Sequence, residues 1–483
     1  MRRVDGVPVN GRRWALPAPL RRRLLWVGAL YFAQGLPLGI FLDLLPVHFR
    51  QAGVDLRQIG VLSLLGLAWT LKFLWAPAVD AWRGHRRWMQ AANLLMAGCM
   101  LALASLDPGR TELWLVLGVF VLASATNDIA IDAYTVEHVP RAELGLANGV
   151  RIALYRVGML AAGVLLMLSD RIGWSGTYLA TGGLLAALAV LCGAAPAERP
   201  RLGPPPRLAD LRALLTQPRS VLAGLAVLTV LGWLIGRQFG WLGQRTDVVL
   251  AVLAVALAVL AARQPARAGT SVAAPFASLL ARPHMLGVLA FALTFKLGDA
   301  AMGLMVKPFW VDAGFSASEI GLVSVNVGLV LSVAGGVLGG VITHRLGVFH
   351  ALWSLGLLQA VSNLGYAYAA HVAGGGEVSA GVLYAASMAE SFTGGLGTGA
   401  FLACLMAVVD HRQAATEYAL LSSLFALSRS LAGFASGFGA ELMGYRDYFL
   451  LTFLLCFPAY ALLPTVRRAL AAAEASDAPG VSQ

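Results

Sequence analysis

The chain has 483 residues, of which 58% are hydrophobic and only 13% charged, against about 25% charged in soluble domains. That excludes a soluble globular protein, and the apolar runs lack the two-residue alternation of barrel strands. The formal charge of +11 does not mark a nucleic-acid binder, because most arginines fall in short segments between apolar runs.

In chain order, a basic segment (1–24) leads into apolar runs at 25–47, 57–79, 88–106, 112–134, 145–168 and 175–195. A Pro- and Arg-rich break, PAERPRLGPPPRLADLRALLTQPRS, follows. Further runs lie at 220–237, 247–262, 284–306, 318–341, 348–370, 380–406, 414–440 and 446–466. Each approaches or exceeds the roughly 20 residues that span a bilayer. The reading is an all-α polytopic membrane protein with fourteen transmembrane helices. Residues 25–196 and 284–466 form two six-helix halves, and residues 197–283 hold linker segments around an inserted hairpin, 220–262. The tail, 467–483, is small and polar and reads as disordered. Basic residues crowd alternate loops, which places both termini in the cytoplasm. The four cysteines fall within apolar segments without metal-ligand spacing, so no metal site is expected.

The two halves echo each other. GVDLRQIGVLS (53–63) matches GFSASEIGLVS (314–324), and ALYR (153–156) matches ALSR (426–429), each pair at the same place in its half. A parallel repeat of this kind puts a binding site at the repeat interface, near the membrane midplane.

Charges inside the spans mark that site. Lys296 lies about twelve residues into its span, ~18 Å deep in a ~30 Å core, where a charge costs roughly 2.5–3.5 kcal/mol. Asp299 shares its face three residues on. The pair either offsets its own burial or faces a wet cavity. Asp128 and Asp132 share another helix face, and Arg151 and Arg156 on the next helix can pair with them in a switchable gate. Arg156 and Arg429, the pseudo-symmetric arginines, offer planar forks for a carboxylate or phosphate. Glu390 lies buried in its span and, without a nearby cation, is either a proton carrier or a protonated packing residue. Gln34 sits mid-helix beside Gly35 and Pro37, where the helix is expected to kink. Substrate binding is therefore assigned to Gln34, Arg156, Lys296 and Arg429. Proton coupling or gating is assigned to Asp128, Asp132, Arg151, Asp299 and Glu390. The glycine clusters at 335–340, 394–399 and 433–439 read as helix-packing surfaces.

APAVDAWRGHRR (76–87) resembles a degenerate form of the major facilitator loop signature, with Asp80, Gly84, Arg86 and Arg87 at the recognisable positions. GGVITHRLG (339–347), with Arg345, is its weaker echo. The resemblance implies a loop that closes the cytoplasmic side by pairing charge with a neighbouring helix end. More narrowly, GLPLG, KFLWAPAVD, NDIAIDAY, YRVGML, FKLGDA, GGLGTGAF and ATEYALLSSLFALSR together resemble AmpG-type muropeptide permeases. That resemblance implies proton-driven uptake of an acidic anhydromuropeptide across a Gram-negative inner membrane, by a monomer needing no cofactor. It places Asp128, Asp132, Arg156, Lys296, Asp299 and Arg429 in the functional set. Two features depart from the pattern: Asn127 where relatives usually carry glutamine, and the inserted hairpin. Related permeases carry siderophores or acetyl-coenzyme A, so the cargo stays open at this point.

Outside transport, NDIAIDA resembles the aspartate-rich motif of intramembrane prenyltransferases. It lacks that motif's further aspartate and a second such stretch. A receptor or scaffold on an inactive transporter fold is the other alternative.

Overall fold

The computed structural model describes residues 17–198, except 73–74, 77–78, 80–83, 109, 111 and 141–142, and residues 282–477, except 375–378 and 409–413. Of residues 199–281 only isolated positions are described, so the expected hairpin at 220–262 lies outside the described residues.

The described chain is helical throughout. The first group is α1 (Ala18–Gln51), α2 (Leu56–Leu71), α3 (His85–Leu103), α4 (Glu112–His138), α5 (144–172) and α6 (174–193). The second is α7 (Met285–Asp312), α8 (Ala317–Leu346), α9 (Val348–Ala373), α10 (Ala380–Ala407), α11 (414–443) and α12 (445–477). Six of the described helical stretches are long and apolar enough to cross a membrane, and two of these each join two helices across a glycine kink. Two boundaries differ from the sequence reading. α1 begins at Ala18, inside the segment expected to precede the first span. α12 runs to Asp477, so residues 467–477 are helical rather than a disordered tail.

The internal repeat reaches the backbone. Six glycines among the described residues have positive φ, and they form three equivalent pairs. Gly53 and Gly314 (φ 79° and 86°) open the matched motifs, each two residues ahead of a side chain that caps the next helix. Asp55 caps α2, and Ser316 makes a reciprocal capping box with Glu319 at the start of α8. Gly84 and Gly347 (φ 76° and 78°) precede α3 and α9. Gly173 and Gly444 (φ 71°, ψ 171° and φ 74°, ψ 162°) turn α5 into α6 and α11 into α12. A buried Asn–Cys contact repeats as well: Asn93 on α3 to Cys192 on α6, and Asn363 on α9 to Cys456 on α12, both 3.8 Å.

Small residues set the packing. In α8 and α10 the two glycine clusters interlock, with the space beside Gly339 taken by the Leu396 carbonyl and that beside Gly399 by the Gly336 carbonyl. Gly60 of α2 lies against the Phe434 carbonyl, and Gly437 of α11 lies against the Leu56 carbonyl. Backbones that approach this closely gain dispersion contacts without a hydrophobic driving force, which a lipid solvent does not supply.

The turns at Gly173 and Gly444 have open space around them, so only backbone conformation opposes a side chain there. Gly173→Ala and Gly444→Ala are each expected to destabilise the protein by about 1–3 kcal/mol, whereas Gly98→Ala, in a helix with equal space, is expected to be neutral or better. Thermal unfolding in detergent measures the three.

Candidate functional site

The charged residues expected to act together fall into two clusters and one junction. In the first cluster, α4 presents Asp128 and Asp132 to α1 and α2. Lys72 at the end of α2 reaches both carboxylates at 3.6 Å. Tyr31 of α1 donates its hydroxyl to Asp132 at 2.7 Å. Arg151 of α5 reaches Asp132 at 3.4 Å and lies 4.8 Å over the Tyr31 ring. Gln34 is buried beside Asp128, and its Oε1 has no hydrogen-bond partner. Pro37 lies inside the helix, and a π-turn (Ile40–Leu44) begins three residues after it. One expectation is corrected: Arg156 does not join the aspartates, and Lys72, given no role by the sequence pattern, takes that place.

The second cluster forms where α7 breaks. The helix stops at Thr294 and resumes at Leu297, and Lys296 sits in the gap at φ −103°, ψ 13°. Its ammonium donates to Asp299 Oδ2 (3.1 Å), Gln359 Oε1 (2.5 Å) and the Gly394 carbonyl (3.1 Å). The Gln359 amide also donates to Asp299 Oδ2. Lys296 is 4% exposed, so in this state it faces α9 and α10 rather than an open cavity. Glu390 accepts from Ser391 at 3.3 Å and lies within electrostatic reach of Asp299, Lys307 and Lys296. The expectation that it lacks a nearby cation is therefore corrected.

The junction is carried by Arg156 and Arg429. Gly35 of α1 lies against the Tyr155 backbone and Gly158 of α5 against the Phe32 carbonyl, which fixes the α5 face bearing Tyr155 and Arg156. Gly433 of α11 lies against Ser63 of α2, and Ser63 donates to the Ser430 carbonyl at 2.9 Å, fixing Arg429 one turn away. Arg156 and Arg429 stand 17 and 15 residues ahead of their equivalent kinks (173 − 156; 444 − 429), at matching depth. The two arginines are within electrostatic reach of each other and of Tyr155, and Arg429 is also within reach of Asp299. Arg156 is half-buried and Arg429 exposed. Among the described residues neither makes an ion pair, whereas Arg151, Lys72 and Lys296 all do. Two guanidiniums within electrostatic reach and without an ion-pair partner repel each other, and each has five N–H donors to offer an anion.

A third buried pair has no signal in the sequence pattern. Lys307, placed just beyond the end of its expected span, is 9% exposed, pairs with Asp43 of α1 at 3.5 Å and donates to Ser324 of α8 at 2.7 Å. Nearby, Arg50 of α1 reaches Asp312 of α7 at 2.6 Å, and Tyr445 donates to the same carboxylate at 2.6 Å. Ser318 of α8 bonds Asp170 and the Met167 carbonyl of α5. The hydrogen bonds and ion pairs joining α1–α6 to α7–α12 among the described residues lie in the half of the bundle away from the chain's N-terminus. All three lysines of the chain thus sit in ion pairs within the bundle.

Of the loop-signature residues, Asp80 lies outside the described residues. The Glu198 carboxylate accepts the backbone N–H of Gly84 (3.2 Å) and of Arg86 (3.0 Å) at the start of α3. The Arg86 guanidinium in turn donates to the Gly193 carbonyl that ends α6. Each group neutralises the dipole of the other helix's end. Arg87 and Arg345 are exposed.

The Major Facilitator Superfamily model matches residues 27–437. The chain is 31% identical over 458 residues to the anhydromuropeptide permease of Escherichia coli (strain K12), covering 93% of this chain and 80% of the relative. Among solved structures it resembles the POT family transporter PepTSo (TM-score 0.64, 13% identity, 94% of this chain and 99% of the other). It also resembles the nucleoside transporter NupG (TM-score 0.60, 14% identity, 92% and 98%). The chain belongs to the major facilitator superfamily, in its AmpG-type permease group: it is a multi-pass secondary transporter and not an enzyme, which sets aside the prenyltransferase.

Removing one member of a buried ion pair strands the other, at a cost of about 3–5 kcal/mol. Lys307→Met is expected to lower stability by that order. Asp43→Asn together with Lys307→Met is expected to recover most of it, measured as a double-mutant cycle of thermal unfolding.

Proposed function

We propose that this chain is a proton-coupled importer of an acidic anhydromuropeptide in a bacterial inner membrane, with both termini cytoplasmic. The carrying observation is the proximity of Arg156 and Arg429, neither of which makes an ion pair among the described residues. A cargo carboxylate would supply the missing charge through paired N–H···O bonds. Tyr155, within electrostatic reach of both arginines, offers a ring face against which a sugar can lie. The name of the E. coli relative gives the cargo class, and an acidic peptide on a sugar matches the chemistry of the site.

On this reading the half of the bundle sealed by Arg50–Asp312, Asp43–Lys307 and Asp170–Ser318 is periplasmic, and the state described opens to the cytoplasm. Turning outward rocks the two six-helix halves about Arg156 and Arg429 and parts those contacts, as in parallel-repeat transporters. Asp128, Asp299 and Glu390 are the acids that carry the proton. The fourteen-helix count, with a hairpin at 220–262 between the halves, belongs to the same reading.

Uptake of labelled anhydromuropeptide into proteoliposomes is expected to rise with an inward-directed proton gradient and to collapse with a protonophore; accumulation indifferent to both ends the symport proposal. Siderophore and acetyl-coenzyme A in parallel vesicles decide the cargo. Hydrogen bonds to charged groups contribute about 1.5–3 kcal/mol. Arg156→Ala and Arg429→Ala are therefore each expected to cut uptake at least about tenfold, and the lysine variants to recover only part, because lysine lacks the fork.

A further inference from the structure

Lys296 and Asp299 meet across a third residue that neither the charge pattern nor the family resemblance singles out. Gln359, on α9, is 3% exposed. Its Oε1 accepts from the Lys296 ammonium at 2.5 Å, and its Nε2 donates to Asp299 Oδ2. The orientation of this amide is forced by its neighbours. An ammonium has only donors and an ionised carboxylate only acceptors, so the carbonyl end must face the lysine and the NH₂ end the aspartate. Gly397 on α10 makes room for the arrangement, since the space a methyl group would occupy there is filled by Gln359 Oε1. Lys296 is saturated in this state: Asp299, Gln359 and Gly394 take its three protons.

We propose that Gln359 is the positioning residue that couples protonation of Asp299 to release of Lys296 toward the cargo, a deepening of the proposed function and dependent on it. When a proton binds Asp299, an O–H bond forms on the carboxyl and the residue becomes a donor. On Oδ2 that donor meets the Gln359 amide, whose one acceptor is Oε1, the atom now held by Lys296. The amide turns over to accept it, and its NH₂ end then opposes the ammonium, donor against donor. Lys296 keeps all three of its protons but loses Asp299 and Gln359 together. The charged and titratable groups around Asp299 are Lys296 on its own helix, Glu390 on α10, Arg429 on α11 and the Cys456 thiol on α12; an anionic cargo offsets the repulsion that Arg429 exerts on a freed lysine. Arg156 and Arg429 are where an anionic cargo would be held, and a freed lysine gives that anion a third cation. By linkage, the proton strengthens cargo binding and the cargo strengthens proton binding by the same factor.

The test separates coupling from transport. In proteoliposomes, Gln359→Leu is expected to lower gradient-driven accumulation of anhydromuropeptide at least tenfold while leaving counterflow exchange within about threefold of wild type. Parallel loss of both, in protein that is folded by size exclusion and thermal unfolding, overturns the proposal as a packing effect, and unchanged accumulation overturns it outright. Gln359→Glu is the second variant should the leucine protein not fold. It removes the donor while keeping the shape, and the same split is expected. A cargo-independent arm uses infrared difference spectra between high and low pH. The protonated-carboxyl band that disappears in Asp299→Asn is expected to move in Gln359→Leu, because its hydrogen-bond acceptor has gone; an unmoved band overturns the proposal. If wild type shows neither uptake nor counterflow, the proposed function fails and the infrared arm still decides whether Gln359 reads the proton on Asp299.

Discussion

A guanidinium stays charged at any pH a cell meets, so a bundle that carries one among its helices must surround it with water, a carboxylate or an anion from outside. The protein does this in two ways. Arg151 receives Asp132 and an aromatic face. Among the described residues Arg156 and Arg429 make no ion pair; they lie within electrostatic reach of each other and of Tyr155, and Arg429 also of Asp299. The glycine seams that bring α5 onto α1 and α11 onto α2 hold these arginines at matching depth. The paired clusters of Lys72 and Lys296 stand on either side. Among the described residues the three lysines are paired with carboxylates, whereas these two arginines make no ion pair.

The three compensated sites differ in kind. Lys72 bridges two aspartates on one neighbouring helix, which binds α2 to α4 within the first group. Lys296 is held by residues of α7, α9 and α10, within the second. Lys307 reaches across to Asp43 and so joins the groups. Only the last must part for the groups to separate at that end, together with Arg50–Asp312 nearer the surface. The backbone is suited to movement there, because α1 carries its π-turn at Asp43 and α8 is π-helical over Ile320–Val327, where Ser324 meets Lys307.

Much of this architecture is legible in the amino-acid sequence alone. A lysine or arginine deep in an apolar run announces itself by its insertion cost, and that cost singles out Lys296, Arg156 and Arg429. Two aspartates four residues apart must share a helix face, which ties Asp128 to Asp132. The matched loops locate Gly53 and Gly314. What the sequence hides, it hides for physical reasons. Lys307 falls one residue past the apparent end of an apolar run, and a span ended there turns a buried ammonium into a loop charge. Gln359 is neutral, and a lone glutamine in an apolar helix carries no sign of the ions it will meet. Lys72 is conspicuous but unpaired in the sequence, because its partners lie on a helix that only tertiary packing brings near. Gly173 and Gly444 look like any other glycine in a packing stripe until their backbone angles are known.

The chain carries 36 basic residues and assigns lysine to only three of them, all inside the bundle and all salt-bridged. Arginine fills the loops. To reagents that modify primary amines, the exterior is therefore nearly silent, apart from the α-amino group. The side-chain amines that do exist are each held against a carboxylate. Of these only Lys307 stands at the contact that joins the two groups of helices, so amine chemistry at that one nitrogen reports the parting of the groups, against a background of guanidiniums that do not respond.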